Sequence, residues 1–328
     1  AQNLQALERL ATAAGKTALL IGYVGENNLR PGRPVTNAAA LLQNGKVIAT
    51  RSKTLLPTYD VFDEDRYFEP AAENNVVTLN GRRIGITICE DIWNDDDFWP
   101  ERRYRNNPPV ELANAGAEIL FNISASPWHI GKNLTRYEML RSLVQKTGRP
   151  VVFCNQVGGN DELVFDGNSL VFNAAGQLIA EGKRFEEDLI VVDTDASASH
   201  ELSSHCDEEL IYKALVLGLR DYLHKCGFKS AVLGLSGGID SALTAVIAAE
   251  ALGKENVRGV SLPSQFSSQH SLDDARVLAE RLGIQYDVVP IQAGFETLKT
   301  TLKPLFTGRV EDTTEENIQA RIRGTLLM

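Results

Sequence analysis

A glycine-rich loop at residues 235–243, with the sequence LSGGIDSAL, has the composition of an anion-binding site. It follows an apolar run typical of a buried strand and precedes an apolar stretch typical of a helix. Such a turn points unpaired backbone N–H groups at an anion, and Gly237 and Gly238 let the backbone approach a phosphate closely. Ser236 and Ser241 add hydroxyl donors. The pattern predicts a phosphate-binding loop, and the alternative is a glycine-rich turn without a ligand.

Cys89 is the second candidate for chemistry. It directly follows the strand pattern of residues 83–88, in the position of an exposed nucleophile at a strand end. Free cysteines are more often buried small apolar residues, so this position alone leaves both interpretations open. Lys53 favours a nucleophile, because it too follows a strand pattern and leads into an aromatic and acidic segment. A nearby ammonium lowers the pKa of a thiol and stabilises a tetrahedral oxyanion.

Strands must position these two side chains, and the first 195 residues are rich in strand patterns. Asn-Gly pairs at 44–45 and 80–81 predict two hairpins, and a third is expected over 169–181. Further predicted strands lie at 17–23, 118–123, 151–156 and 189–194, and predicted helices lie near 110–115 and 134–146. Hairpins that alternate with strand–helix units indicate a mixed sheet covered by helices.

A polar segment at 195–204 separates this region from one in which the predicted strands and helices alternate regularly. After a long helix at 208–225, strands alternate with helices in the order 231–235, 241–252, 257–262, 271–282, 286–289 and 295–306. That series predicts an α/β domain with a parallel sheet, whose ligands bind at the carboxyl ends of the strands. We therefore predict two domains, at residues 1–198 and 205–328.

Composition argues against several classes of protein. The net charge of -10, without a block of Lys or Arg, opposes nucleic-acid binding. No apolar run approaches the roughly 20 residues that span a bilayer, and no signal-peptide pattern is present. Four scattered cysteines, without a CxxC pair or a nearby His cluster, fit reduced thiols better than disulfides or a zinc site. We expect a cytoplasmic protein that binds neither nucleic acid nor a membrane.

Residues 53–59 and 87–93 resemble the nitrilase superfamily, in which a lysine precedes a Leu-Pro-x-Tyr segment and a cysteine ends a strand. The resemblance implies an α-β-β-α sandwich and a Glu–Lys–Cys triad that cleaves amides or nitriles. It makes Cys89 the nucleophile and Lys53 the lysine that binds the oxyanion, with Glu64 as a supporting acid. The general-base Glu of the family has no equivalent in this chain, and we expect it in a segment ahead of the first helix.

The same resemblance implies a glutamine-binding pocket. Residues 122–132 are similar to the substrate-positioning segment of the family. Ser126 and Lys132 are therefore candidate contacts for the α-carboxylate or the amide of glutamine, and Tyr59 would line the pocket. The alternatives are a turn-capping role for Ser126 and a solvated Lys132.

The glycine-rich loop resembles the pyrophosphate loop of ATP pyrophosphatases, which adenylate a substrate and release pyrophosphate. The resemblance assigns to ATP binding the residues Gly234, Leu235, Ser236, Gly237, Gly238, Ile239, Asp240 and Ser241. Asp240 is also the candidate ligand for Mg2+ beside the phosphates, with helix N-capping as its alternative role. Ser268 and Ser271 lie in a segment similar to the adenine side of the pocket, and the alternative is that they cap the following helix.

Residues 314–328 resemble a segment of the NAD synthetases, and the resemblance makes Asn317 and Arg321 candidate contacts for deamido-NAD. A nitrilase-like domain ahead of a synthetase domain is similar to the glutamine-dependent NAD synthetases, which commonly form homo-oligomers. This implies ATP-dependent amidation of deamido-NAD to NAD with ammonia from glutamine, giving AMP, pyrophosphate and glutamate. The alternatives are another nitrilase-class amidase coupled to an adenylating ligase, and a catalytically incomplete fragment with a scaffold role.

Overall fold

A computed structural model describes residues 2–28, 31–197, 199–310 and 312–328. The chain divides into two compact units: a first unit of Ala1–Gly158 with Val164–Asp207, and a second unit of Gly159–Leu163 with Glu208–Met328. The domain limits predicted from the sequence include Ala1 and Ala198, which lie outside the described residues. Within the described ranges, no helix is both long and apolar enough to cross a membrane.

One sheet of the first unit is a three-stranded antiparallel meander, whose strands pair in chain order. Its strands are β1 (Leu19–Glu26), β2 (Val35–Gln43) and β3 (Lys46–Ser52). Asn44 and Gly45 join β2 to β3, and both adopt positive φ, as two-residue hairpin turns require. The predicted hairpin is therefore confirmed.

The larger sheet has six strands: β4 (Val77–Leu79), β5 (Arg82–Ile88), β6 (Ile119–Ser124), β7 (Val151–Asn155), β10 (Leu170–Phe172) and β11 (Leu178–Glu181). Their order across the sheet is β11-β10-β7-β6-β5-β4. β5, β6 and β7 run parallel, whereas the outer pairs are antiparallel hairpin neighbours, so the predicted mixed sheet is confirmed. A two-stranded sheet that the sequence patterns did not predict consists of β8 (Val157–Asn160) and β9 (Leu163–Asp166).

Helices cover the outer faces of the two larger sheets of this unit. α1 (Gln2–Ala13) packs against Ala40 and Leu42 of β2. Ala39 and Leu41 point the other way, into a core shared with β5 and β6. The opposite side of the six-stranded sheet is covered by α2 (Pro108–Asn114) and α3 (Lys132–Thr147). Because successive strand residues face opposite sides, β2 contributes to two layers of an α-β-β-α sandwich.

The second unit contains a parallel sheet in the order β12-β13-β14. Its strands are β12 (Ala231–Gly234), β13 (Val257–Ser261) and β14 (Gln285–Val288). Its helices are α4 (Asp207–Lys225), α5 (Ile239–Leu252), α6 (Gln269–Leu282), α7 (Gln292–Leu302) and α8 (Thr313–Leu327). Alanine-rich faces of α5 and α6 pack on the sheet, and Ile322 and Leu327 of α8 pack against Val260 and Leu262. The predicted strand–helix alternation is confirmed, and the glycine-rich loop follows the carboxyl end of β12.

Two predicted elements differ from the structure. The predicted strand at 189–194 is wrong, because these residues form no strand. Leu189 and Val191 are 89% and 92% exposed, so this apolar run lies outside any sheet among the described residues. The predicted helix at 295–306 ends early, at Leu302, and continues as a 3-10 turn that contains Pro304.

Candidate active sites

Cys89 lies where β5 ends. It opens a 3-10 turn, Cys89–Ile92, and its own φ is 43°. A non-glycine residue in this left-handed region costs roughly 1–3 kcal/mol and persists where the surrounding structure holds it. This backbone presents the thiol at the end of the strand instead of within the sheet.

The thiol of Cys89 lies in a mixed electrostatic environment. Burial raises its pKa and is the largest effect. The Lys53 ammonium and a hydrogen bond from the backbone of Ala125 lower the pKa, whereas Glu90 and Glu64 raise it. The pKa of the thiol is raised on balance, so the resting group keeps its proton near neutral pH. A base must therefore remove this proton before the sulfur can attack.

Lys53 directly follows β3 and is 1% exposed. Its Nζ lies 2.7 Å from Oε1 of Glu64, and Oε2 of Glu64 accepts a 3.0 Å hydrogen bond from Nδ2 of Asn37. A buried ammonium needs such a partner, because desolvation of an unpaired charge is costly. The pair holds the lysine charge near Cys89, so the structure brings together the three side chains predicted for catalysis.

A further carboxylate, which the sequence analysis did not select, joins the segment after β3 to the end of β5. Asp91 is 2% exposed. Its Oδ1 accepts hydrogen bonds from the backbone N–H groups of Thr54 (3.0 Å) and Leu55 (2.8 Å), and its Oδ2 accepts one from that of Ile88 (2.9 Å). Burial raises the pKa of Asp91 to about 6, although these donors and the Lys53 ammonium lower it. The available sequence signal was a pair of acids, Glu90 and Asp91, directly after an apolar strand and Cys89.

Glu90, which the sequence analysis also missed, holds the predicted pocket residue Tyr59. Oε1 of Glu90 accepts hydrogen bonds from the hydroxyls of Tyr59 (2.8 Å) and Tyr104 (3.1 Å). The Arg103 guanidinium lies 3.8 Å from the centroid of the Tyr59 ring. Burial raises the pKa of Glu90, whereas the two tyrosine hydrogen bonds lower it. Because Glu90 directly follows Cys89, this cluster adjoins the candidate nucleophile.

Ser126 follows β6 and is anchored to a buried polar network. Its backbone N–H donates to Oδ1 of Asn155 (3.0 Å), and Nδ2 of Asn155 donates to Oδ1 of Asp166 (3.2 Å). Asp166 forms a fully buried, two-bond ion pair with Arg136. Gly131, and not Ser126, is the N-cap residue of α3. The network therefore fixes Ser126 through its backbone.

Lys132 is the first residue of α3 and is half-buried. Its ammonium lies 4.2 Å from the ring centroid of Trp93, within the range of a cation–π interaction. Burial lowers the pKa of Lys132 and Arg136 lowers it further, whereas Cys89 and Glu90 raise it. The last two effects show that Lys132 interacts electrostatically with Cys89 and Glu90, so a freely solvated side chain does not describe it.

The loop between β12 and α5 is held by its own hydroxyl groups. The Oγ atoms of Ser236 and Ser241 lie 3.1 Å apart, and the backbone N–H of Gly238 donates to Oγ of Ser236 (3.2 Å). Gly238 is the N-cap residue of α5, and no side chain caps this helix. Asp240 therefore lies in the first turn, and its alternative role as the N-cap is wrong. The first-turn N–H groups of an uncapped helix are donors for an anion.

A cavity of about 530 Å³ opens beside this loop. Its lining includes Ser236 from the loop, Ser268 and Ser271 from the start of α6, and Arg323 from α8. Ser268 is the N-cap of α6 and accepts a 3.1 Å hydrogen bond from the N–H of Ser271, so its capping role is confirmed. The same two serines also line the cavity.

Arg323 was not selected from the sequence, whereas Arg321 was. The two lie on different faces of α8, because positions two apart do not share a helical face. Nε of Arg323 donates to the carbonyl oxygen of Leu262 (3.0 Å), which fixes the guanidinium at the cavity wall. Arg321 and Asn317 are exposed on α8 and lie outside this lining, so their roles stay predictions.

A family model described as carbon-nitrogen hydrolase matches residues 1–202. The chain belongs to the carbon-nitrogen hydrolase family. A second family model, NAD synthase, matches residues 211–328. The two matches follow one another along the chain, and they confirm the predicted fold class, a nitrilase-like sandwich followed by a synthetase-type parallel sheet.

The chain is similar to curated glutamine-dependent NAD(+) synthetases. One from Synechocystis sp. is 45% identical over 321 residues, with 95% of this chain and 57% of the relative covered. One from Thermotoga maritima is 42% identical over 330 residues, with 89% and 56% covered. A solved structure of glutamine-dependent NAD+ synthetase from Acinetobacter baumannii in complex with ADP is 35% identical, with a TM-score of 0.88 and 99% of this chain and 60% of that chain covered. The chain thus spans little more than half the length of these relatives.

Proposed function

We propose that the full-length protein converts deamido-NAD to NAD, with ATP activating the substrate and glutamine supplying the ammonia. One observation carries this proposal: a single chain holds a Cys–Lys–Glu cluster in its first unit and a glycine-rich loop beside a cavity in its second. The names of the relatives support the pairing. The products would be NAD, AMP, pyrophosphate and glutamate.

In the first unit, Cys89 attacks the side-chain amide carbon of glutamine. The Lys53 ammonium stabilises the negative charge on the former carbonyl oxygen, ammonia leaves, and water hydrolyses the thioester. Glu64 acts as the supporting acid, because its bond to Lys53 fixes the position of that charge.

The thiol proton needs an acceptor. Two carboxylates near the thiol are already engaged: Glu64 by Lys53 and Asn37, and Glu90 by two tyrosine hydroxyls. The nitrilase resemblance assigns this role to a Glu ahead of the first helix. We therefore do not assign the general base to Glu64 or Glu90.

Glutamine would be held by Tyr59, Ser126 and Lys132. Burial lowers the pKa of Lys132, which means that its charged form gains from an anionic partner. The α-carboxylate of glutamine is such a partner. Ser126 lies on a loop fixed by Asn155, so it offers a pre-positioned polar contact.

In the second unit, residues 234–241 would hold the phosphates of ATP while the carboxylate of deamido-NAD attacks the α-phosphate. Pyrophosphate leaves, and ammonia then displaces AMP from the adenylate. The hydroxyls of Ser236 and Ser241 and the uncapped start of α5 support this role, because all of them offer donors to a phosphate. Asn317 and Arg321 are the proposed contacts for deamido-NAD.

Mg2+ is proposed beside the phosphates. Asp240 offers an exposed carboxylate in the first turn of α5, and carboxylate oxygen is the donor that this ion prefers. When bound there, the ion would neutralise part of the phosphate charge. An acidic group elsewhere, Asp95–Asp97, is already contacted by the ammonium of Lys146.

We also propose that the functional domains are residues 1–198 and 205–328, that the protein is cytoplasmic and that it forms homo-oligomers. All four cysteines are free thiols, which supports a reducing compartment. The resemblance to the NAD synthetases supports the oligomer.

ATP–pyrophosphate exchange by the purified full-length protein tests the proposed function. We expect exchange that requires deamido-NAD, together with NAD formation driven by glutamine. Exchange that ignores deamido-NAD would indicate an amidase coupled to another adenylating ligase. Loss of both exchange and glutamine hydrolysis would favour a scaffold role.

A further inference from the structure

The reacting groups of the first unit come from two different sheets. Lys53 follows β3 of the three-stranded sheet, and Cys89 follows β5 of the six-stranded sheet. A small shift between the sheets would change the distance between the ammonium and the thiol. The two strand ends therefore need a direct connection.

Asp91 supplies that connection. Its Oδ1 binds the N–H groups of Thr54 and Leu55, which directly follow Lys53, and its Oδ2 binds the N–H of Ile88, which directly precedes the nucleophile. Each carboxylate oxygen thus belongs to a different segment. The group is buried, so water does not compete for these bonds.

We propose that Asp91 is a positioning residue that holds Lys53 and Cys89 at the separation that the reaction needs. The proposal rests on the proposed role of Cys89 as nucleophile. The left-handed backbone of Cys89 supports it, because such a conformation persists only where neighbouring bonds hold it, and the bond to Ile88 lies one residue away.

An asparagine at position 91 would not preserve this connection. The Asp91 carboxylate accepts three hydrogen bonds from backbone donors. The amide nitrogen of asparagine is itself a donor, so it would face the N–H groups of one of the two segments. Asp91→Asn therefore releases one strand end while nearly preserving the side-chain volume.

The test follows the pH dependence of Cys89 alkylation by iodoacetamide in the full-length protein, resolved by peptide mass spectrometry. Asp91→Asn should move the midpoint for Cys89 upward by about half a pH unit, the effect of moving the Lys53 ammonium from about 4 to about 5 Å at an effective dielectric constant near 20. It should lower kcat for glutamine hydrolysis roughly a hundredfold, the cost of about 1 Å of misplacement. Loss of the Asp91 charge by itself would move the midpoint downward, so the sign separates positioning from direct electrostatics.

Two comparisons sharpen the result. Asp95→Asn is the matched control, because Asp95 is equally buried but is bound by Lys146, away from both strand ends; its midpoint should equal that of the wild type. Lys53→Met sets the largest expected shift, and adding Asp91→Asn to it should produce no further upward shift if Asp91 acts through the lysine. The exposed Cys154, Cys206 and Cys226 serve as reference thiols in every sample.

The proposal is overturned if folded Asp91→Asn protein keeps both the wild-type alkylation midpoint and the wild-type kcat. It is also overturned if Asp91→Asn shifts the midpoint upward by the same amount in the presence of Lys53→Met as in its absence. Should Asp91→Asn fail to fold, Asp91→Glu decides in the same way, because it keeps the charge but displaces it by one methylene. Should both fail, amide exchange in the wild type decides. Exchange at Thr54, Leu55 and Ile88 should slow together as the pH falls through about 6, after correction for intrinsic rates, because burial makes the protonated carboxyl the form that the closed structure favours; independent behaviour would overturn the proposal. Failure of the wild type to hydrolyse glutamine would count against the proposed function alone, because alkylation requires no glutamine.

Discussion

Gly237 and Gly238 are neighbouring glycines in one loop, but only Gly237 occupies a position where a side chain would not fit. A Cβ on Gly237 would lie 2.8 Å from Cα and from the carbonyl carbon of Ser271, and closer still to its carbonyl oxygen; the φ of Gly237 is 82°. A Cβ on Gly238 would meet only Oγ of Ser236, at 3.4 Å, and the φ of Gly238 is -88°. Gly237→Ala should therefore damage the free protein, whereas Gly238→Ala should not.

The cost of Gly237→Ala can be worked from these contacts. A left-handed alanine costs roughly 1–2 kcal/mol. Displacement of Ser271 also disturbs the hydrogen bond by which Ser268 caps α6, worth about 1 kcal/mol. The total of about 2–3 kcal/mol corresponds to a drop of roughly 5–10 °C in the unfolding temperature of the second unit. If the loop distorts instead, the same energy appears as a roughly 30- to 150-fold rise in KM for ATP.

Thermal unfolding and ATP–pyrophosphate exchange on the full-length protein measure the two effects. Gly238→Ala should keep the unfolding temperature within about 1 °C of the wild type. It should reduce ATP–pyrophosphate exchange only because the added methyl group hinders the approach of a phosphate to the loop. The reasoning is refuted if Gly237→Ala matches the wild type in both assays. It is also refuted if Gly238→Ala loses as much stability as Gly237→Ala.

Three further predictions concern single side chains. Cys89→Ala should abolish NAD formation driven by glutamine but spare formation driven by ammonia, measured as NAD produced under each condition; loss of both would contradict separate sites. Burial raises the folded-state pKa of Asp91 from 3.8 to about 6, so its contribution to stability is fully present below about pH 4 and is lost as the pH rises through 6. Asparagine does not titrate, so the stability of the Asp91→Asn protein lacks this pH dependence. Measured by denaturant titration of the first unit, the unfolding free energy of Asp91→Asn minus that of the wild type should therefore rise by about 2 kcal/mol between pH 4 and pH 7. Arg323→Ala should raise KM for ATP roughly tenfold to a hundredfold, because it removes a charged donor from the cavity. Arg321→Ala should leave KM for ATP unchanged and raise KM for deamido-NAD. If both variants raise KM for ATP equally, the assignment of the two arginines to different faces of α8 is contradicted.

Local patterns in the sequence predict most of the fold. The apolar run within β2 is visible in the sequence, and the Asn44-Gly45 pair predicts its hairpin partner, because both signals depend on neighbouring residues alone. The segment 189–194 begins with a similar apolar run and forms no strand. An apolar run indicates which side chains prefer burial, whereas a strand also needs a hydrogen-bonding neighbour, which the run does not specify.

The candidate sites were less accessible to such reasoning. Lys53 and Cys89 were found by their positions after strands, but their proximity depends on how two sheets stack, and only the family resemblance implied it. Asp91 was missed because its partners are backbone N–H groups, which carry no sequence signature. The choice between Arg321 and Arg323 required the rotation of α8 about its axis, which is set by packing against β13 and not by composition.

The electrostatics of Cys89 restrict how its nucleophile can form. A thiolate at this position would meet the carboxylates of Glu64 and Glu90 in a buried site, and burial and these charges together outweigh the favourable effect of Lys53 on the pKa of the thiol. A standing thiolate is therefore disfavoured, and in the proposed reaction proton removal must accompany the attack of the sulfur on the amide. Negative charge then develops on the substrate oxygen, where the Lys53 ammonium can stabilise it. An ammonium that stabilises the tetrahedral intermediate more than it stabilises the resting enzyme lowers the activation barrier. An ammonium that stabilised a permanent thiolate to the same extent as the intermediate would not lower it.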